Sequence, residues 1–508
     1  MKRALTLLTT VALAGCSMAP KDVRPAAPVP PSWPVGDSYL RTSEATLPAL
    51  SWREVFRDAR LQTLIEQALA NNRDLRVAAA NIAAARAQYQ IQRGAQLPQV
   101  DASLGITERR GNANTIGNGL GTGTGTGTGN TGNTGNTGGN VGGGVRTNYS
   151  TQAGITGFEL DLLGRLASLT RAEQNTYFAT EAGARATRLT LVGDIATAWL
   201  TYASDASLLA VAQQTAKSAE DSVRLTRARL EGGIAPRTDL RQAEQTLATA
   251  QNDVARQTSA LAQDVNALRL LAGSEIDPAL LPASIEQAAP TIAAVPAGLD
   301  SGILLRRPDV VQAEYQLRAA NAQIGAARAA LFPRISLTSV LGFASTALSS
   351  LFDGDAFTWQ AGGTGSYSIF RGGAGRANVR LTEAQQQAQL ANYERAIQAA
   401  FRDVANALAV RGTIDAQLRA TQLQADAAAD TFRLSEARYR GGIDTFLQSL
   451  VSQRSLYAAQ QQLVTVQLTA ATNRVNLYRA LGGDSQLEVT RDGPQPVGAS
   501  GTAATPGG

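Results

Sequence analysis

The chain has 508 residues, of which 46 are Lys or Arg and 41 are Asp or Glu, so its formal net charge is only +5. This charge is too small to indicate a nucleic-acid-binding protein, and no basic tract alternates with aromatic residues. The chain contains no histidine, which excludes serine triads, Cys–His pairs and His-containing metal sites. The composition therefore favours a protein that is not an enzyme and that needs no cofactor or metal ion.

The N-terminal residues 1–15 are typical of a signal peptide, because two basic residues precede a mostly apolar run too short to span a bilayer. Residues 13–16, Leu-Ala-Gly-Cys, resemble the bacterial lipobox, in which the cysteine is acylated after cleavage. By the same resemblance, Ser17 favours the outer membrane. Several acyl chains on Cys16 make a durable anchor. A chance cysteine in an ordinary signal peptide is the alternative.

Two terminal segments are predicted to lie outside the folded body. Residues 16–58 begin with a proline-rich stretch, which we interpret as an extended tether between the lipid and the body. Residues 485–508 are predicted to be a disordered C-terminal tail.

The body is an internal duplication. Asp74 and Pro98 in the first half have the same spacing as Asp309 and Pro333 in the second half. The sequence LTRARLEGGI at 225–234 also matches LSEARYRGGI at 434–443. Each half therefore reads helix, strand, strand, very long helix, Gly-Gly turn and shorter helix. The predicted boundaries are a first repeat at 59–275, a linker at 276–302 and a second repeat at 303–484.

Proline placement predicts the length of the long helices. No proline occurs between Pro98 and Pro236, nor between Pro333 and Pro494. Helical composition then runs over about 165–230 and 376–440, so each helix is roughly 100 Å long at ~1.5 Å per residue. Such helices indicate a coiled coil or an elongated tube. Heptad spacing supports helix-to-helix packing with supercoiling, as at Leu240, Leu247, Val254, Leu261 and Leu268.

Four segments alternate apolar and polar residues in the way that transmembrane β-strands do: 100–107, 148–156, 334–343 and 358–369. A soluble hairpin on a core is the alternative for any one of them. Four strands cannot close a barrel, and open edges in hydrocarbon leave backbone groups unpaired. Several chains must therefore share one barrel, which two copies would fill and three would leave hollow.

Residues 111–144 are almost entirely Gly, Thr and Asn and lie between the strands of the first hairpin. We interpret them as a disordered extracellular loop. They formally contain a GxGxxG pattern, but no helix and acidic residue follow at the required spacing, so a dinucleotide site is not indicated.

Together these landmarks resemble the TolC-type outer-membrane efflux proteins, and most closely the OprM-like (NodT-type) lipoprotein branch. The resemblance implies a mainly α fold with a membrane β part: a long coiled-coil barrel of helices and four transmembrane strands per chain. It also implies a homotrimer in the outer membrane, a periplasmic adaptor, and an inner-membrane pump of the proton-driven RND type. It is carried by the lipobox at Cys16 and by GFELDLLGR (157–165), LLRRPD (304–309), LSSLFDG (348–354), YRGGID (439–444), QRSL (453–456) and VNLYRALGG (475–483).

In that family the two helix-to-helix turns form the periplasmic tip, which closes the resting channel. The resemblance makes Asp444 the best candidate for a constriction or ion-binding ring, with Asp239 a weaker one. Arg440 is expected to pair with a carboxylate of a neighbouring copy. Related sequences often have an aspartate where this chain has Val451, so a second acidic ring is not expected. The turn glycines are Gly232, Gly233, Gly441 and Gly442, for which a simple helix stop is the alternative role.

The predicted function is a passive exit duct for drugs or other small molecules. A type I protein-secretion channel has the same architecture and remains an alternative. A trimeric coiled-coil surface lipoprotein or adhesin shares the heptads but does not need two helix–hairpin units. An enzyme is the third alternative, although the carboxylates Glu159 and Asp161 are interpreted as structural.

Overall fold

The structure is a computed structural model that describes residues 18–21, 24–34, 51–110, 145–296 and 301–497. Cys16 and the glycine-rich tract at 111–144 lie outside these ranges. The chain divides into two compact units. The strand unit contains residues 90–170 and 324–380, and the helical unit contains most of the remaining described chain.

The strand unit contains one antiparallel sheet with the order β1-β2-β3-β4. Its register places Val100 opposite Ile155, Ala153 opposite Leu341, and Leu341 opposite Trp359. The pairing of β2 with β3 therefore joins the two halves of the duplication. The four alternating segments of the sequence are confirmed as strands, except that the fourth ends at Ser366, before the predicted residues 367–369. They are β1 (Val100–Arg110), β2 (Val145–Leu160), β3 (Arg334–Ser345) and β4 (Phe357–Ser366).

One face of this sheet carries large apolar side chains that nothing in the described chain covers. Residues directly opposite each other in an antiparallel pair share a face, so the register groups these side chains. Leu104 and Trp359 are 84% and 73% exposed. A surface of this kind marks a membrane or an interface.

Two glycines allow β2 and β3 to approach closely. A Cβ atom added to Gly154 would lie 2.2 Å from the carbonyl oxygen of Ser339, and one added to Gly342 would lie 2.2 Å from that of Thr151. Glycine inside a strand often marks such a close backbone approach. The joint between the halves thus depends on both residues.

The helical unit is dominated by two helices of 67 residues each, about 100 Å long at ~1.5 Å per residue. The predicted long helices are thereby confirmed. In chain order the helices are α1 (Trp52–Val55), α2 (Ala59–Asn71), α3 (Arg73–Gly94), α4 (Arg165–Glu231), α5 (Arg237–Ala272), α6 (Ile285–Ala288), α7 (Pro308–Ala329), α8 (Ala374–Arg440) and α9 (Phe446–Ala480).

The main apolar core lies where the middle parts of α4 and α8 meet α2, α9 and the chain between the repeats. Trp199, Tyr393 and Tyr478 are its largest fully buried side chains. The Trp199 indole donates a hydrogen bond to the carbonyl of Leu280, 3.0 Å away. The predicted linker thus belongs to the core, with Ile285 buried as well.

The C-terminal segment is ordered further than the sequence suggested. Strands β5 (Leu487–Val489) and β6 (Pro494–Pro496) form a small hairpin. The hydroxyl of Tyr315 donates to the carbonyl of Thr490 and accepts from its amide, at 3.0 and 3.1 Å. The expected disorder is therefore corrected for residues 485–497, because Leu487 packs in an apolar cluster with Tyr315.

Residues 24–34, here called the strap, are held against the helical unit. Arg24 donates to Glu314, with 2.8 Å between Nε and Oε2, and the Glu314 side chain is almost fully buried. The Ser301 hydroxyl donates to the carbonyl of Pro30, and the Trp33 ring lies 5.0 Å from that of Phe401. This part of the predicted tether is therefore packed on the body.

A carboxylate pair joins α4 and α5, where Asp205 approaches Asp264. The Oδ2 atom of Asp264 is buried and has no hydrogen-bond partner among the described residues. Burial, followed by the charge of Asp205, raises the pKa of Asp264 to about 6. The nearby ionisable groups are Tyr202, whose pKa rises, and Arg256. A proton shared by the two carboxyls would satisfy the orphaned oxygen.

This pair predicts a pH-dependent stability. Because the folded-state pKa of Asp264 is raised, its stabilising contribution is complete below the unfolded pKa near 4 and is lost as the pH rises through about 6. We expect Asp264→Asn to raise the free energy of unfolding at pH 8 by about 1 kcal/mol after solvent screening, and with it the midpoint of thermal unfolding, and to change both little at pH 4. Circular dichroism melts measure this. Asp205→Asn should give a similar gain and the double variant no more; a stabilisation independent of pH would contradict the shared proton.

Candidate functional site

The two helix-to-helix turns have the same backbone structure. Gly233 and Gly442 both have φ of +72°, a conformation that glycine adopts without steric cost. The amide of Ile234 donates to the carbonyl of Arg229, and that of Ile443 donates to the carbonyl of Arg438, both at 2.9 Å. Helix ends with a left-handed glycine are closed in this way. Gly232 and Gly441 have no positive φ in this structure.

The structure brings both turns together around one small apolar cluster, here called the tip core. Arg229 closes it, because its guanidinium lies 4.3 Å above the Tyr439 ring and donates to the carbonyls of Tyr439 and Arg440 at 2.8 and 3.3 Å. The tip core consists of the buried residues Val223, Leu240, Ala243, Tyr439, Phe446 and Leu450.

Sequence reasoning did not single out Arg229. The signal for it lay in the duplication, because Arg229 of the first turn is aligned with Arg438 of the second. One of these equivalent arginines binds the opposite turn, and the other binds the carboxylate of its own turn.

The charged side chains of the second turn have partners within the chain. Asp444 accepts two hydrogen bonds from Arg438, at 2.6 and 3.2 Å, and this contact lowers the pKa of the Asp444 carboxyl. Arg440, expected to bind a neighbouring copy, donates to Glu436 of its own helix at 2.6 Å. Asp444 and Arg440 therefore already have partners within the chain. The tight turn brings Arg438 to Asp444, and the i,i+4 spacing of the helix brings Glu436 to Arg440.

Asp239 lies at the start of α5, beyond the first turn. Its side chain is partly buried, and burial raises the pKa of its carboxyl. It has no ion pair within the described chain. The apolar side chains Ile234 and Ile443, at equivalent positions of the two turns, are exposed. The two turns thus expose two apolar side chains, Ile234 and Ile443, beside the Arg438–Asp444 ion pair.

The carboxylates considered for an enzyme have structural partners. Glu159 accepts a two-pronged ion pair from Arg165, with distances of 2.8 and 2.6 Å. Asp161 accepts from the amide of Ala167, 2.7 Å away, at the start of α4. Among the residues that the structure describes, no group of three or more Cys, Asp or Glu side chains is arranged to hold a metal ion.

Comparison with known proteins agrees with this architecture. A model of the family described as "Outer membrane efflux protein" matches residues 64–274 and 300–483. The chain is 41% identical over 478 residues to the probable efflux pump outer membrane protein TtgC of Pseudomonas putida, covering 94% of both chains. It is 37% identical over 477 residues to the outer membrane protein OprJ of Pseudomonas aeruginosa, covering 94% of this chain and 95% of OprJ.

Solved structures show the same fold. A crystal structure of a membrane protein from Pseudomonas aeruginosa matches 92% of this chain and all of its own, with a TM-score of 0.81 and 37% identity. The open state of the Neisseria gonorrhoeae MtrE outer membrane channel matches 92% of this chain and 98% of its own, with a TM-score of 0.78 and 32% identity.

The resemblance and the fold class predicted from the sequence are thereby confirmed. The chain belongs to the outer membrane efflux protein family and is the outer-membrane channel component of an efflux system.

Proposed function

We propose that three copies of this chain form one lipid-anchored duct through which small molecules pass from the periplasm to the exterior. A periplasmic adaptor docks on its tips, and a proton-driven inner-membrane pump of the RND type delivers the cargo. Acylation of Cys16 supplies the lipid anchor. The observation that carries the trimer is the sheet of the strand unit, whose outer strands β1 and β4 are not joined to each other.

The open edges require further strands. Each unpaired backbone group in hydrocarbon costs several kcal/mol, so a four-stranded sheet with two free edges is not stable there. Two copies supply eight strands, whose interior is filled or narrow, whereas three supply twelve and leave a passage. A closed cyclic ring also gives every copy the same contacts.

The helices support the same ring. In the first half α3 has no buried residue, whereas its duplicate α7 packs against α4. That packing includes ring contact between Phe178 and Tyr315, and Gln312 lies against Gly183. Since α8 is the duplicate of α4, the equivalent contact for α3 is α8 of the next copy. The next copy would then cover the exposed face of α3 with the same kind of helix contact that α7 makes with α4.

The duplication also predicts the register between copies. The hairpin registers make Gly362 the equivalent of Gln152 and Thr107 the equivalent of Gly342. Gln152 lies opposite Gly342 within the chain. Gly362 of one copy should therefore lie opposite Thr107 of the next.

We expect the double variant Gly362→Cys with Thr107→Cys to form intermolecular disulfides under mild oxidation, because opposed Cβ atoms in a strand pair lie within disulfide range. A Cβ at Gly362 meets nothing within 4 Å, so the substitution fits. Non-reducing electrophoresis should show a covalent trimer. The matched control pairs Gly362→Cys with Ile106→Cys, whose side chain points to the other face. Equal cross-linking in both pairs, or dimers alone, would contradict the shared barrel.

The tip is the proposed gate. A ring of three copies brings three Arg438–Asp444 pairs around the axis, where each arginine neutralises a carboxylate. The constriction is then less cation-attracting than three free aspartates would be. An adaptor that spreads the tips opens the passage.

Two substitutions should shift the ion selectivity of the duct in opposite directions. Arg438→Gln frees the Asp444 carboxylate and should make a reconstituted channel more selective for cations, whereas Asp444→Asn should make it less so. Reversal potentials in planar bilayers under a salt gradient measure both. Arg433→Gln is the matched control, since Arg433 pairs with the exposed Asp430 and lies more than one helical turn before Arg438. If all three variants resemble the parent channel, the pair does not line the passage.

The proposed cargo is apolar small organic molecules. Relatives with 41% and 39% identity are called a toluene efflux pump outer membrane protein and a solvent efflux pump outer membrane protein, both of Pseudomonas putida. These names support small molecules over secreted proteins.

Deletion of the encoding gene should lower the tolerated concentration of toluene or of an apolar antibiotic at least fourfold and leave the set of secreted proteins unchanged. Growth assays and analysis of the culture supernatant measure both effects. Expression of the intact chain from a plasmid should restore tolerance. Loss of a secreted protein with unchanged tolerance would instead indicate type I secretion.

A further inference from the structure

A basic cavity lies where the second hairpin continues into the long helix α8. It has a volume of about 550 Å³ and is bordered by the start of β3 and by the segment that leads from β4 into α8. Arg334, Arg371 and Arg376 line it together with Ser366 and Ser368. No carboxylate is among the described residues that line this cavity.

The duplication shows that this cavity lacks the ion pair that closes the joint of the first half. The two long helices begin at Arg165 and Ala374, each directly after a glycine with positive φ, Gly164 and Gly373. In the first joint, Arg165 is bound by Glu159 six residues earlier. In the second joint the equivalent residues are Ala374 and Ser368, and Ser368 lines the cavity. The position of the carboxylate that closes the first joint is thus occupied by a serine.

The guanidinium groups of Arg371 and Arg376 make no hydrogen bond or ion pair within the described chain. Arg334 has no side-chain hydrogen bond among the described residues, and Glu159 of the first joint interacts with it only through its charge. The first turn of α8 also lines the cavity, and the positive end of a long helix dipole adds to the field of the arginines. Anions are therefore attracted to this joint.

The rim of the cavity is apolar. Ile369 and Phe370 are 92% and 88% exposed, and Tyr367 and Phe332 are exposed beside them. Arginines next to exposed aromatic and aliphatic side chains, at the end of a membrane strand, match the boundary between lipid headgroups and acyl chains. A free phosphate or a carboxylate of a neighbouring copy would make no use of this rim.

We infer that the cavity binds a phospholipid of the inner leaflet, with its phosphate on Arg371 and Arg376 and its acyl chains against Ile369 and Phe370. Guanidinium groups bind phosphate oxygens in a two-pronged geometry, which gives both strength and orientation. Arg334 adds a third positive charge to the lining of the cavity. The inference rests on the proposed membrane-spanning role of the sheet, but not on the gate or the cargo.

Native mass spectrometry of the purified detergent-solubilised oligomer tests this inference, with dioleoyl phosphatidylglycerol as the probe. We expect binding of this lipid to weaken at least tenfold in the double variant Arg371→Gln with Arg376→Gln. Arg380→Gln, an exposed arginine further along α8, is the matched control and should bind as the parent does. Ser368→Glu should also weaken binding, because it places a carboxylate in the cavity at the position that Glu159 has in the first joint.

Two further probes distinguish the sources of the anion. Dioleoylglycerol, which lacks phosphate, should not compete, and inorganic phosphate at millimolar concentration should not displace the lipid. Displacement by inorganic phosphate, or unchanged lipid binding in the double variant, would overturn the inference. The stability of the oligomer gives a further test. If Asp101→Asn and the double variant lower it equally, and their combination lowers it no further, the arginines bind the β1 strand of the next copy and the inference is overturned. Single-channel conductance of the double variant should equal that of the parent, which separates a lost lipid site from a lost pore.

Discussion

Unpaired backbone groups cannot be left in hydrocarbon, and this constraint explains most of what the chain does. The sheet has four strands and two free edges, and its apolar face is exposed over β1, β3 and β4. Water would solvate such edges, but lipid does not. No side-chain interaction within one copy pairs these edges, and assembly with further copies is the proposed way to pair them. The proposed trimer would also cover α3, which has no fully buried residue within its own copy.

The duplication lets each half be compared with the other, and the differences are informative. Related sequence stretches form nearly the same backbone, as the two turns with φ of +72° illustrate. Side chains have diverged on this common frame. Arg229 binds the opposite turn while Arg438 binds its own, and Glu159 closes one strand-to-helix joint while the equivalent residue of the other joint is Ser368. Divergence of this kind distinguishes contacts within a copy from surfaces that face a lipid or another copy.

The helices and strands could be predicted from the sequence, but the contacts between their charged side chains could not. Proline spacing predicted the two 67-residue helices within a few residues, and alternation predicted the four strands, because both depend on local periodicity. The sequence predicts a contact of Arg440 with a neighbouring copy but does not point to Arg438, which binds Asp444. Arg24 and Glu314 are 290 residues apart, and Asp205 and Asp264 lie on different helices, so neither pair leaves a trace in the sequence. Tertiary packing decides which of the many similar charged residues become partners.

The tip core has a mechanical consequence. Because Arg229 and the shared apolar cluster fasten the α4–α5 turn to the α8–α9 turn, the end of each copy is one stiff piece. In the proposed trimer, motion that widens the passage must then occur along the seams between copies, so the duct would open as three rigid units rather than six. A ligand or partner protein that wedges into a single seam would have to overcome only the contacts of that seam, and the ring would lose its threefold symmetry in the partly open state.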